Sequence, residues 1–502
     1  MYIAEHEWSA PRIGPLPSAA TVDRDLARAG RDLARAGNDN RVRALYQRLA
    51  DGQTGTATCA EAAQFLREQL AATAQDPDLL PESPEDLVAW MQANAQAVTA
   101  SYSIYLEQRA NGAPRRYFSN RAHALHFLRS VAPTKLVDGA WLHGLLPHWR
   151  NGRFGDLVRT YVEELGEGVA DKNHVVLYRK LLARYGLDPL DDLPEELHVQ
   201  GLVQLSLACN AQDFLPEVVG FNLGYEQLPL HLLITAYELN ELGLDPYYFT
   251  LHVTVDNTDS GHAMRACKAV LDTLPRVGDA ADYWRRVRAG VKLADAGLGT
   301  TGIIDGFAIE AEVVRILSAK SGAGRGAHSD YCQVAGRKIN DWLSRPEQIP
   351  EFLAALQQAG WIRLGAPVDQ SRFWSLLQGE RAEMFGVFSS YELQVIHDWI
   401  RGDASSDGQA FTEHESPAIR TRRPTFRAQA KLAAARGQAA PVAGDAADTE
   451  LLDPDLQSLC EQLPRKSDDE QMQLLVHAMS PALHWTPAGL HATRLFWERV
   501  RS

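Results

Sequence analysis

HVTVDNTDSGH (residues 252–262) follows directly on the apolar run YYFTL (247–251), and it carries two histidines and two aspartates with no Lys or Glu among them. A solvated face mixes its charges, so this set reads as metal ligands. On a continuous helix His252 and Asp256 stand at i and i+4, and Asp259 at i+7 falls within about 20° of His252. His262, at i+10, lies roughly 80° away around such a helix unless the backbone loosens near Ser260-Gly261. Asp259 and His262 are thus alternatives for a third ligand.

Two other segments could reach the same ion. In YVEELGEGVADKNHVVLYRKLL (161–182), three glutamates precede a histidine, with Gly166 and Gly168 between them. Glu163, Glu167 and His174 share a face of a continuous helix, whereas Glu164 meets His174 only if the glycines interrupt it. In GFNLGYEQLPLHLLITAYELNELG (220–243), Glu226 sits among apolar neighbours on a predicted helix. A carboxylate there is costly unless paired or metal-bound. Glutamates and histidines converging from several helices are how bundle proteins build dinuclear carboxylate sites.

The rest of the chain sets these segments in a helical frame. Ala-, Leu-, Glu- and Gln-rich windows with three-and-four apolar spacing, such as AEAAQFLREQLAATAQ (60–75) and EDLVAWMQANAQAVTASYSIYLEQ (85–108), predict helices. Gly then Pro in GLDPL (186–190) and GLDPYY (243–248) predicts helix stops, and Ser83-Pro84-Glu85 a start. Two copies of RDLARAG (24–37) are too few for a coiled coil and read as an exposed helix with a glycine break. Five domains are expected: an N-terminal helical region (1–114), a metal-binding domain (115–300), a C-terminal helical extension (301–402), a flexible linker (403–449) with a locally basic middle (418–437), and a helical tail (450–502) that packs back.

A net charge of −14 over 502 residues, with no basic stripe, argues against nucleic acid as a partner. Cys59, Cys209, Cys267, Cys332 and Cys460 form no CxxC pair, which suits a reducing cytoplasm. MYIAEHEWSAPRIG (1–14) lacks a signal-peptide pattern and no window approaches the roughly 20 apolar residues of a membrane span, so a soluble, cytoplasmic protein is expected.

EELGEG…NHVVLYRKLLARYGLD, FNLGYEQLP and GLDPYYFTLHVTVDNTDSGHA together resemble the haem-oxygenase-like diiron oxidases, a family of iron-containing redox enzymes, over roughly residues 115–290. The resemblance implies an all-α, seven-helix bundle, here with additional N- and C-terminal helical regions. It implies two irons, Fe(II)/Fe(III), held by Glu164 (or Glu167) with His174, by Glu226, and by His252 and Asp256. The sequence departs from the family pattern at Asp259, which stands where a histidine is usual, with His262 following. O2 is the implied cosubstrate, and the implied reactions are N-oxygenation, desaturation or oxidative C–C cleavage of a small amine or amino-acid-like molecule in specialised metabolism. A homodimer and an external reductant are left open.

Within YFSNRAHALHFLRSVAPTKLVDGAWLHGLLPHW (117–149), Trp141, His143, His148 and Trp149 could face the cavity, with the tryptophans read as core. Arg150, Arg153, Arg179 and Arg265 are candidate cations for a carboxylate-bearing substrate. His328, in a glycine-rich loop, has no ligand partners nearby. The rival class is a metal-free, thiaminase-like hydrolase or binding protein using Cys209 or Cys267, although neither has a local histidine to activate it. A haem protein with His174 or His252 as axial ligand would leave the carboxylate cluster unexplained.

Overall fold

The computed structural model describes residues 40–187, 190, 192–255, 261–324, 328–329, 331–378, 384, 386–402 and 453–502. The RDLARAG repeat, the 403–449 linker with its basic middle, Asp256 and Asp259 lie outside them. The described residues form an all-α protein whose strands are limited to the two-residue pair Gln333–Val334 and Arg337–Lys338.

The two long N-terminal windows form helices over Thr56–Ala72 and Leu87–Ala110, the second entered through a short turn at Pro84–Asp86. The two predicted stops end the helices His174–Tyr185 and Leu230–Glu241. Two predicted continuous helices are broken. The 220–243 window splits into Leu215–Tyr225 and Leu230–Glu241, because Pro229 cannot continue the first helix and instead starts the second. Glu226 therefore sits at a helix terminus. The 252–262 stretch is divided likewise: His252 lies on Tyr247–Val255, and His262 opens a separate helix, His262–Thr273.

Apolar side chains collect in two cores that cut across the segments of the chain. One joins Leu45, Phe65, Leu66 and Met91 to Trp141, Tyr161 and Phe221 and then to Leu475 and Phe496 of the C-terminal helices. The other joins Phe118, Leu128, Tyr178, Leu239 and Phe249 to Ile316, Leu356 and Ile396. The His, Glu and Asp side chains of the candidate site lie between these cores, on elements that belong to both. The helices Leu215–Tyr225 and Ala280–Leu293 approach closely through facing glycines. A Cβ on Gly220 would lie 1.9 Å from the Val287 carbonyl oxygen, and one on Gly290 2.3 Å from that of Glu217. This backbone contact fixes the helix that ends at Glu226.

Buried carboxylates tie outer segments to the bundle. Glu238 accepts from the Tyr105 hydroxyl at 2.8 Å and from the backbone N–H groups of Tyr117 and Phe118 at 3.0 and 2.9 Å. Asp398 accepts from the Ala122 N–H at 2.8 Å, which docks the helix Ser390–Arg401. Each is compensated by donors, as a buried carboxylate must be.

Candidate metal centre

Glu164 is the last residue of the helix Gly155–Glu164, and His174 is the first residue of the helix His174–Tyr185. The turn between them runs through left-handed backbone at Gly166, Glu167 and Gly168 (φ +64°, +53° and +79°). That break swings Glu167 away. Its Oε1 accepts from Trp497 Nε1 at 3.1 Å, and it belongs to neither ligand group below, whereas Glu164 belongs to both. The same turn brings Glu164 Oε2 within 2.5 Å of His174 Nδ1.

Asp138 joins them. It precedes Gly139, whose φ of +80° suits glycine, and a Cβ at Gly139 would lie 3.0 Å from the Glu164 Cβ. The Asp-Gly pair therefore turns the chain tightly against Glu164. Asp138 Oδ2 lies 3.2 Å from His252 Nε2, 3.8 Å from His174 Nδ1, and accepts from the Tyr248 hydroxyl at 2.6 Å. On the other side, His262 Nδ1 lies 2.9 Å from Glu226 Oε2 and 3.3 Å from Glu164 Oε1.

Among the described residues two groups can each enclose an ion: Asp138, Glu164, His174 and His252, and Glu164, Glu226 and His262. Within each group the ligand atoms lie within 4.8 Å of one another. Glu164 is common to both. A shared carboxylate between two imidazole- and carboxylate-bearing pockets is the donor arrangement of a dinuclear site, and a mixed N/O set suits iron. The fit is supported by an orphaned atom. Glu226 Oε1 is buried at the site without a hydrogen-bond partner. A buried polar atom of this kind calls for an occupant.

The outward nitrogens of two histidines are held as ligand histidines require. His252 Nδ1 lies 2.8 Å from the Tyr248 carbonyl oxygen, leaving Nε2 toward Asp138. His262 Nε2 lies 3.0 Å from Glu163 Oε2, and Glu163 is itself bound by Arg159 at 2.8 Å and by Arg265. Glu163 thus supports His262 from outside the ligand groups.

The electrostatics show the strain of uncompensated carboxylates. Burial alone would raise Asp138, but Lys135, His174 and His252 outweigh it and hold the carboxyl well below the usual range. Burial lowers His174, yet Glu164 and Asp138 push it up to about 10. His262 is likewise driven far up by Glu226, Glu163 and Glu164 against the effect of burial. Glu226 goes the other way, raised by burial beyond what His262 recovers. In metal-free protein His174 and His262 bind protons where a cation would sit, while burial lowers His252 and favours its neutral form.

A cavity of about 370 Å³ opens onto the cluster. Asp138, Glu164, Glu226 and His252 form its polar end, and Phe127, Val131, Leu232, Phe249 and Ile303 line an apolar wall. Among the described lining residues Lys135 is the only lysine or arginine. Its Nζ lies 4.0 Å from Asp138 Oδ2 and over the rings of Tyr225 and Tyr248, at 5.5 and 5.8 Å.

Apart from Trp141, the remaining sequence candidates lie elsewhere. Trp141 lines the cavity and donates to Asn222 Oδ1 at 3.1 Å, while His143 Nε2 lies 3.1 Å from the Val476 carbonyl oxygen. His148 packs on Phe154, and Trp149 lies under Arg150. Arg150 pairs with Asp469, Arg265 with Glu163, and Arg179 stacks on Trp485; none of these arginines, nor Arg153, lines the cavity. His328 bonds through its backbone to Asn340. Neither Cys209 nor Cys267 lines the cavity, and burial raises both thiols, that of Cys267 to about 11, so neither is disposed to act as a thiolate nucleophile.

Asp138 was missed by sequence reading. The Asp-Gly pair at 138–139 was the available signal, because it marks a turn carrying a carboxylate upstream of the first ligand helix.

Among the described residues no helix is long and apolar enough to cross a membrane. No curated protein and no solved structure matches the chain. Residues 125–295 match the family model described as iron-containing redox enzyme, and that span contains Asp138, Glu164, His174, Glu226, His252 and His262. This region of the chain is therefore similar to the iron-containing redox enzymes of that family.

Proposed function

We propose that the protein is an O2-dependent non-haem diiron oxidase or oxygenase acting on a small amine or amino-acid-like substrate. The observation that carries this reading is Glu164, shared between two buried ligand groups beside a cavity. Asp138, His174 and His252 would hold one ion, Glu226 and His262 the other, and Glu164 would span them. Two irons bound there supply the electrons that activate O2.

The chain's own residues do the rest. Tyr248 and Glu163 orient ligand side chains from outside the cluster. The apolar wall excludes water and seats the body of a substrate. Lys135 offers a positive charge to a substrate carboxylate at the polar end, while His231, lowered to about 4 chiefly by burial, stays neutral beside it. The reaction is N-oxygenation, desaturation or oxidative C–C cleavage. Desaturation takes two electrons from the substrate, and N-oxygenation puts one oxygen atom on nitrogen and the other in water; reducing O2 fully takes four electrons, so each of these reactions calls on an external reductant for two. We place the enzyme in the cytoplasm and in specialised biosynthesis.

Anaerobic Fe(II) titration of metal-free protein, followed by O2 uptake with a panel of amines, amino acids and other small carboxylates, tests this. Two irons per chain and substrate-dependent O2 uptake are expected. Absence of iron binding, or O2 uptake that no substrate stimulates, rejects it.

A further inference from the structure

The C-terminal helices Pro454–Gln462, Asp468–Ala478 and Pro487–Arg501 lie beyond the matched span, yet the last of them, backed by the other two, packs against the turn that separates Glu164 from His174. Three points of that turn are held. Trp497 donates to Glu167 Oε1 at 3.1 Å, with Arg501 at 3.4 Å from the same oxygen. Gly168 lies so near the last helix that a Cβ there would stand 2.3 Å from the Leu490 carbonyl oxygen. Asn173 Nδ2 lies 3.2 Å from His484 Nδ1 and 3.5 Å from the His484 carbonyl oxygen.

Asn173 is the pivotal residue. It is fully buried and precedes His174; its Oδ1 accepts from the Val176 N–H at 3.0 Å and so caps the helix that His174 opens. Its amide group also reaches the Leu165 carbonyl oxygen at 3.3 Å. One side chain therefore joins the residue after Glu164, the start of the His174 helix and His484. The adjoining helices are braced as well. The Tyr161 hydroxyl donates to the Met479 carbonyl oxygen at 2.6 Å, and Arg179 stacks on Trp485 with 3.8 Å between guanidinium carbon and ring centroid.

We infer that residues 453–502 are part of the metal centre's support, with His484 acting through Asn173 as a positioning residue that sets His174 against Glu164. This rests on the diiron reading above. Outer-shell partners of ligand histidines commonly govern metal affinity by ten- to a hundredfold, and His484 stands in that relation to His174, one residue removed.

The test is anaerobic Fe(II) titration of the full chain, with thermal melting of the metal-free form, for wild type, His484→Ala, His484→Gln and Leu475→Ala. Leu475 is buried on the Asp468–Ala478 helix and serves as a control for packing alone. Wild type should bind two irons. His484→Ala should weaken one of them about tenfold or more; His484→Gln, which can still bond to Asn173, should recover most of the loss. Leu475→Ala should lower the melting temperature and leave both affinities as in wild type. Wild-type affinities in His484→Ala, or equal weakening in Leu475→Ala, overturn the inference while leaving the diiron reading intact. A wild type that binds no iron overturns both. If His484→Ala is recovered only unfolded, Trp497→Phe carries the same expectation through Glu167, and unchanged iron affinity in that variant overturns the inference.

Discussion

Tyr248 grips Asp138: its hydroxyl donates to Asp138 Oδ2 at 2.6 Å, while its own carbonyl oxygen receives His252 Nδ1 at 2.8 Å. One residue thus orients a carboxylate and an imidazole of the same ligand group. Tyr248→Phe removes the hydroxyl and keeps the ring. Its expected effects are an Fe(II) affinity reduced about ten- to a hundredfold at that site and a stability loss of about 1 kcal/mol from one buried hydrogen bond. Titration and denaturant unfolding measure the two separately. Unchanged affinity with the stability loss alone would show that Asp138 is held without it.

Asp138→Asn tests the ligand itself. The amide keeps the side chain's volume but loses the charge that draws a cation between Glu164, His174 and His252. Iron stoichiometry is expected to fall from two per chain toward one, with the Glu226–His262 group still loaded. Gly139→Ala should act by a different route, because its φ of +80° and the 3.0 Å approach to Glu164 strain any side chain. A loss of about 1 kcal/mol or more in stability is expected, accompanied by weaker iron binding. Retention of two tightly bound irons in Asp138→Asn would remove Asp138 from the ligand set.

Stability of the metal-free protein should peak near pH 6.5. His126, His231 and His484 are lowered from 6.5 to about 4, about 4 and about 3, chiefly by burial. The unfolded chain takes up their protons first, so their contribution is present above pH 6.5 and declines as pH falls from there toward 4, by at most about 1.4 kcal/mol per pH unit for each group. His174 is displaced upward, to about 10, as Glu164 outweighs burial. Its contribution is full below pH 6.5 and is lost as pH rises through about 10. Melting temperatures of metal-free protein should therefore fall on both sides. His174→Gln should reduce the alkaline limb and leave the part contributed by His262, which is also displaced upward, whereas bound Fe(II), which takes the place of both protons, should flatten it. An alkaline limb unchanged in His174→Gln assigns it to His262 alone.

Lys135→Met tests substrate charge. With a carboxylate-bearing substrate found by the O2-uptake screen, KM should rise about ten- to a hundredfold, the worth of one charge-assisted bond of roughly 1.5–3 kcal/mol. The maximal rate should change far less. An esterified or decarboxylated analogue should lose its disadvantage in the variant. Equal KM values in wild type and variant would place the carboxylate elsewhere in the cavity.

The sequence by itself determined the helical architecture and pointed to the segments that meet at the site. Apolar periodicity, Pro and Gly are local signals, and they are sufficient to start and stop helices such as Leu87–Ala110 and His174–Tyr185. Residue chemistry pointed to Glu164 or Glu167, His174, Glu226, His252, Asp256, Asp259 and His262, because carboxylates and histidines within apolar stretches need a partner. Tertiary structure decided which of them converge. The left-handed run Gly166–Gly168 chose Glu164 over Glu167, and the break at Pro229 put Glu226 at a helix end. Asp138 entered the cluster from a turn with no ligand pattern of its own, and His484 reached Asn173 across 311 positions of chain. Spacing along a helix constrains only residues on that helix. Contacts between helices depend on how glycines, prolines and buried side chains let the backbones approach, which is a property of the packed molecule.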